Sequence, residues 1–226
     1  MMKRIFLLLL AAVCLTACTD DPCREEEAVT AKPVIYLYPE DEPVDEKPVV
    51  YLHPEEPAEI TVKLDYRGTL TSTYPTYNNG WTVLAEPDGT LRDPETGREY
   101  YCLFWEGVTD MEYDFSTGFC VSGTDTAAFL EEKLALLGLN EREANEFIIY
   151  WLPRMEQNSY NLIAFQTHAY TENAVLTVEP APDCMIRVFM AWQPLVEPVD
   201  IAPQQFPETP DRSGFTVVEW GGTEVN

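Results

Sequence analysis

Positive charge is scarce in this chain: 14 Lys and Arg stand against 39 Asp and Glu, a formal net charge of -25 over 226 residues. Such a surface repels phosphate backbones, which excludes nucleic acid as a partner. Histidine occurs only at 53 and 168, and the six cysteines show no Cys-x-x-Cys spacing. A His/Cys zinc site is thereby excluded, and no metal or cofactor is expected. Gly-x-Ser-x-Gly, a Gly-rich phosphate loop and His-Glu-x-x-His are all missing, so the commonest nucleophile, nucleotide and metalloprotease signatures are absent. What the chain does have is 46% apolar and 12% aromatic residues, enough to close one sizeable core.

Residues 1–17 read as an export leader. Lys3 and Arg4 precede an aliphatic run from Ile5 to Val13, followed by small residues. The stretch Ile5 to Ala17 is too short to span about 30 Å of hydrocarbon as a helix, so it is built for removal. Leu15-Thr16-Ala17-Cys18 resembles a bacterial lipobox, in which cleavage precedes a diacylglyceryl-modified cysteine. Cys14 competes, but bulky Val13 precedes it, whereas small Ala17 precedes Cys18. Acylated Cys18 would hold the chain on a membrane, facing outside the cytoplasm; several acyl chains attach far more firmly than one. Loss of Lys3 and Arg4 makes the remainder more acidic still, so only the acyl chains would keep it at an anionic bilayer.

Residues 18–46 form an acidic tether, which like-charge repulsion extends. It contains the first copy of a duplication. Lys32-Pro33-Val34-Ile35-Tyr36-Leu37-Tyr38-Pro39-Glu40 recurs as Lys47-Pro48-Val49-Val50-Tyr51-Leu52-His53-Pro54-Glu55, identical at seven of nine positions. Each copy is a short β-branched and aromatic strand, and its bracketing prolines confine it to the edge or end of a sheet. The second copy runs into the alternating Ile60 to Tyr66, which assigns it to a folded domain over 47–226.

Asn79-Gly80 between 70–77 and 81–85 predicts a hairpin, and Pro87-Asp88-Gly89 and Pro94 to Gly97 predict further turns. Tyr100 to Trp105 reads as one central strand, apolar on both faces. Ala127, Leu130, Leu134 and Leu137 recur at helical spacing and end at Gly138. Asn140 and Glu143 form a capping-box start for a second helix with Ala144, Phe147, Ile148 and Trp151 as its stripe, which Pro153 disrupts. Strand patterns resume at 161–165, 174–178, 185–192 and 215–220, the last two separated by a proline-rich strap. The expected fold is α+β: an antiparallel, β-rich, sandwich-like domain with a helix pair at about 125–152 packed on it.

The segments Lys47 to Pro54, Thr73-Tyr74-Pro75, Gly80-Trp81, Pro87 to Leu91, Phe104-Trp105-Glu106-Gly107 and Tyr150 to Pro153 resemble a family of uncharacterised bacterial secreted proteins and lipoproteins. Its first motif, Lys-Pro-x-Ile-Tyr-Leu-Tyr-Pro, matches the first copy better than the second. The likeness covers residue 32 to the end and implies an exported fold unit, without an activity.

Glu106 ends an apolar strand and precedes Asp110, Glu112 and Asp114. Burial would raise its pKa, and a second carboxylate at the right separation would complete a glycosidase-like pair. Trp81, Trp105 and Tyr74 could offer flat faces to sugar rings beside it. Cys102 and Cys120 lie in strand-like runs close enough to form a disulfide, with free thiols the alternative. His168 reads as a loop histidine. The leading expectation is an envelope module that binds a glycan or another protein, or has a structural role, without catalysis; the alternative is an envelope hydrolase using Glu106 and a nearby carboxylate.

Overall fold

The computed structural model describes residues 47–225. The leader, Cys14, Cys18, Cys23 and the first motif copy lie outside the described residues. The domain is a β-rich α+β fold with two sheets. Its strands are β1 (Val49–His53), β2 (Ala58–Tyr66), β3 (Thr69–Tyr74), β4 (Trp81–Ala85), β5 (Leu91–Arg92), β6 (Glu99–Tyr100), β7 (Leu103–Val108), β8 (Phe119–Ser122), β9 (Tyr160–Gln166), β10 (Ala174–Glu179), β11 (Cys184–Leu195) and β12 (Thr216–Glu224). The helices are α1 (Thr126–Leu136), α2 (Glu141–Met155) and the short α3 (His168–Asn173), which places His168 on a helix. The seven-stranded sheet runs β3-β7-β1-β12-β11-β9-β8 and the five-stranded sheet β10-β2-β4-β5-β6.

The second motif copy forms β1, in the interior of the larger sheet, with antiparallel β7 on one side and β12 on the other. Pro48 and Pro54 flank the strand at its two ends, so the missing amide donors fall outside the ladder. Alternation then divides its side chains. Val50 and Leu52 enter a core cluster with Ile60, Val62, Trp81 and Trp105, drawn from both sheets. Tyr51 faces the opposite way, into a cluster with Leu130, Leu134, Phe147 and Trp151 from the helices.

Both long helices form where their sequence signals lie. Gly138 at φ +97 follows α1, and Leu139 N–H returns to the Leu134 carbonyl. At α2 the Asn140 side chain accepts from Glu143 N–H while the Glu143 carboxylate accepts from Asn140 N–H. Pro153, however, sits inside α2 rather than ending it. The carbonyl that loses its i+4 amide donor belongs to Ile149, a residue that is 74% exposed on the outer face of the helix.

Four other expectations are corrected. Asn79-Gly80 does turn the chain, with Asn79 at φ 62, but no hairpin forms: β3 pairs with β7 and β4 pairs with β2, in different sheets. Tyr100 to Trp105 is not one strand; the chain leaves the smaller sheet after Tyr100 and enters the larger at Leu103. The sheets are not wholly antiparallel, because β11 and β12 pair in parallel, and the proline-rich segment between them is their crossover. Cys102 and Cys120 form no disulfide. Cys102 immediately precedes β7 and Cys120 lies in β8, five strand spacings away, roughly 24 Å, whereas a bridge needs Cα atoms within about 7 Å.

Candidate functional site

Glu106 lies on β7 next to Trp105, so the two side chains point to opposite faces of the sheet. The Glu106 carboxylate pairs with Lys47 Nζ at 3.3 Å and accepts from Thr71 Oγ1 at 3.4 Å. It joins the start of the motif to β7 and β3. Asp110, Glu112 and Asp114 are all exposed beyond the strand. The Asp114 carboxylate accepts from Ser116 N–H, and that bond holds it below its ordinary pKa. Its backbone is fastened to Gln166 on β9 by two hydrogen bonds. Four strand spacings separate β7 from β9, roughly 19 Å, against the roughly 5–9.5 Å of a glycosidase pair, so Glu106 and Asp114 are not brought together. Among the described residues no three His, Cys, Asp or Glu gather as a metal site.

Two of the three aromatic candidates are core residues. Trp105 is 0% exposed, and Trp81 is buried with its indole N–H donating to the Pro75 carbonyl at 2.8 Å and its ring against Tyr77. Neither presents a face to solvent, which corrects the expectation for both. Tyr74 is 55% exposed at the end of edge strand β3, directly across from Phe104 and edge-on to Tyr100.

Two polar networks lie outside the residues to which the sequence points. In the core between β11 and β12, Arg187 and Glu219 stand opposite in register and form an ion pair at 2.6 Å. The Trp105 indole N–H donates to the same carboxylate at 3.2 Å, and the guanidinium lies 4.9 Å from the Tyr170 ring. One Glu and one Arg inside otherwise apolar runs, Thr216 to Trp220 and Cys184 to Trp192, were the available signal.

The second network joins the motif to α2. Tyr51 O–H donates to Glu146 and accepts from Trp220 Nε1; burial and the Glu146 carboxylate push its pKa up. His53 Nε2 lies 3.2 Å from Glu143 Oε1, and Arg212 grips both Glu143 oxygens at 2.7 and 2.9 Å. Burial alone would raise the Glu143 carboxyl, but bonds from Arg212, His53 and Asn140 hold it at about 2. Cys102 is half-buried, and burial pushes its thiol up to about 12.

A groove of about 380 Å³ runs beside β8, lined by Phe119, Cys120, Phe129, Lys133, Val199 and Ile201. Lys133 Nζ lies 5.2 and 5.7 Å from the two phenyl centroids and pairs with Glu132. The Cys120 sulfur accepts from Val199 N–H at 3.4 Å, which fixes the strap to the strand.

No family model and no solved structure matches the chain. An uncharacterized protein in the bglA 3′ region of Butyrivibrio fibrisolvens is 46% identical over 78 residues, which are 34% of this chain and 65% of that protein. The alignment therefore spans just under two thirds of that relative, and the relative brings no activity with it. Among the described residues no helix is long and apolar enough to cross a membrane.

Proposed function

We propose that the chain is a lipid-anchored, extracytoplasmic protein of the bacterial cell envelope that works as a binding or structural module, related to the secreted proteins its motifs resemble. Its two sheets stack face to face as a sandwich, a reading supported by the core cluster they share. The observation that carries the functional reading is how the domain uses its charges. Glu106 is paired to Lys47, Glu143 to Arg212 and Glu219 to Arg187, and each pair ties one segment of the fold to another. Carboxylates held in this way stabilise a scaffold. The exposed Tyr74 ring beside Phe104 is the surface we assign to a glycan of the envelope.

Intact mass spectrometry of the membrane fraction tests the anchor: a diacylated Cys18 is expected, and an unmodified Cys18 overturns it. Glycan-array binding tests the module. Tyr74→Ala should abolish a signal that Glu106→Gln leaves in place. Should Glu106→Gln instead remove a hydrolytic turnover of the wild type, the hydrolase reading replaces the binding one.

A further inference from the structure

β8 is the outermost strand of the larger sheet, so one of its edges is laddered to β9 and the other is not. Gly118, just before it, sends its N–H outward to the Ala202 carbonyl of the strap at 2.9 Å. Alternation along the strand turns the backbone groups of Cys120 and Ser122 to that same outer side. The Ser122 carbonyl accepts from Thr126 Oγ1 at 3.0 Å. At Cys120 the strap offers Val199 N–H to the sulfur, and among the described residues nothing meets the outward N–H and C=O. The groove of about 380 Å³ runs along this open edge. Phe119 and Val121 pack towards the helices, Cys120 faces the other way, and all three line it. A cavity that touches both faces of one strand lies at the strand's edge.

We propose that this groove binds a short extended peptide, which adds to β8 as a strand and places its C-terminal carboxylate on Lys133. Three features select that ligand. Cys120 presents one donor and one acceptor side by side, which a peptide unit matches: its carbonyl accepts from Cys120 N–H and its N–H donates to the Cys120 carbonyl. Phe129, Val199 and Ile201 supply apolar walls for its side chains, and the volume, at the low end of ligand sites of roughly 300–1,000 Å³, holds a few residues. The strap already occupies the edge at Gly118, so an added strand must end there. Lys133 lies at that end, with Nζ 5.2 Å from the Phe119 ring centroid. A terminal carboxylate both ends a chain and pairs with an ammonium, and it sets the peptide antiparallel to β8. The present carboxylate partner of Lys133 is the adjacent Glu132, 66% exposed, and such a surface pair is weak enough to exchange. Asp200 also lines the groove, but on the strap, so the ligand's charge is directed to α1. Tyr74 stands on β3 at the opposite edge of the sheet, and the peptide groove is independent of the glycan reading.

The test titrates the tripeptide acetyl-Val-Thr-Val, as the free acid and separately as its C-terminal amide, into the isotope-labelled full chain and follows backbone amide resonances. The proposal expects shifts confined to 118–122, 129–133 and 199–203, with slower hydrogen exchange at the Cys120 amide. The amide should bind roughly tenfold more weakly than the acid, the worth of one charge-assisted hydrogen bond. Lys133→Gln should weaken the acid to the level of the amide and leave the amide unchanged. The two peptides on the wild type make the same comparison without any variant. Equal affinity of acid and amide overturns the proposal, as does the absence of shifts with either. Isovalerate that reproduces every shift, Cys120 included, means a pocket for apolar carboxylates in place of strand addition. Concentration-dependent shifts of the same residues without peptide mean that a second copy takes the edge, which also overturns it. Tyr74→Ala should bind the tripeptide as the wild type does, so the groove and the glycan surface fail separately.

Discussion

Arg187 and Glu219 face each other across the parallel pair β11 and β12, 2.6 Å apart, with the carboxylate fully buried. Two charges out of water are tolerated because the carboxylate also receives the Trp105 indole and the cation rests on Tyr170. Removing either partner strands the other. Glu219→Gln or Arg187→Met should therefore cost about 3–5 kcal/mol in urea unfolding, while the double change to Met and Leu recovers most of it. Singles that cost under about 1 kcal/mol would mean that the pair is solvated.

Glu143 is the junction of three segments: it caps α2, meets His53 at the end of β1 and anchors Arg212 at the end of the strap. Its folded pKa of about 2 lies below the ordinary 4.5, so the ionised form is favoured by folding. The resulting stabilisation is complete above about pH 4.5 and disappears as pH falls from there towards 2. Glu143→Gln should flatten the acid limb of a stability profile in that window. Arg212→Ala should move the limb to higher pH and cost about 3 kcal/mol at neutrality. Tryptophan fluorescence at fixed urea across the acid range reads both, and an unchanged limb in Glu143→Gln would contradict the assignment.

The helices and the later strands were legible because they are local: the Asn140 and Glu143 box, the Leu130 and Leu134 spacing and the alternation of Ala174 to Val178 each act within a few residues. Sheet membership was not. Asn79-Gly80 specifies a reversal but says nothing of which sheet receives the chain afterwards, and the apolar run at Tyr100 to Trp105 conceals a crossing between sheets. The same limit governed the site. Glu106 stands out in the sequence for its place after an apolar strand, but its partner Lys47 lies 59 residues away, and Glu219 meets Trp105 from 114 residues away. The doubled motif was visible, yet that His53 would meet Glu143 depends on how α2 packs.

Cys102 and Cys120 should remain separate thiols under non-reducing conditions, with no linked peptide after digestion and no change in melting on adding reductant. Burial pushes the Cys102 thiol to about 12, so its alkylation by iodoacetamide should stay slow near pH 8.5, where an ordinary thiol is about half ionised. Rapid Cys102 labelling in the folded protein would contradict this burial.

Gly222 on β12 marks how closely α2 sits on the larger sheet. A Cβ there would lie 2.8 Å from the Met190 carbonyl oxygen and 2.9 Å from the Trp151 ring. The first neighbour is backbone held by the β11 ladder; the second is a buried indole between Phe147 and Tyr150, so neither yields cheaply. Gly222→Ala should cost about 1–3 kcal/mol through overpacking, against roughly 1 kcal/mol for Gly97→Ala, where φ is +70 but the space is open. Trp151→Leu placed on top of Gly222→Ala should cost less than it does alone, because the smaller side chain removes one of the two clashes. Thermal melts of the four variants measure this coupling. Strict additivity would mean that the helix does not rest on the strand at this point.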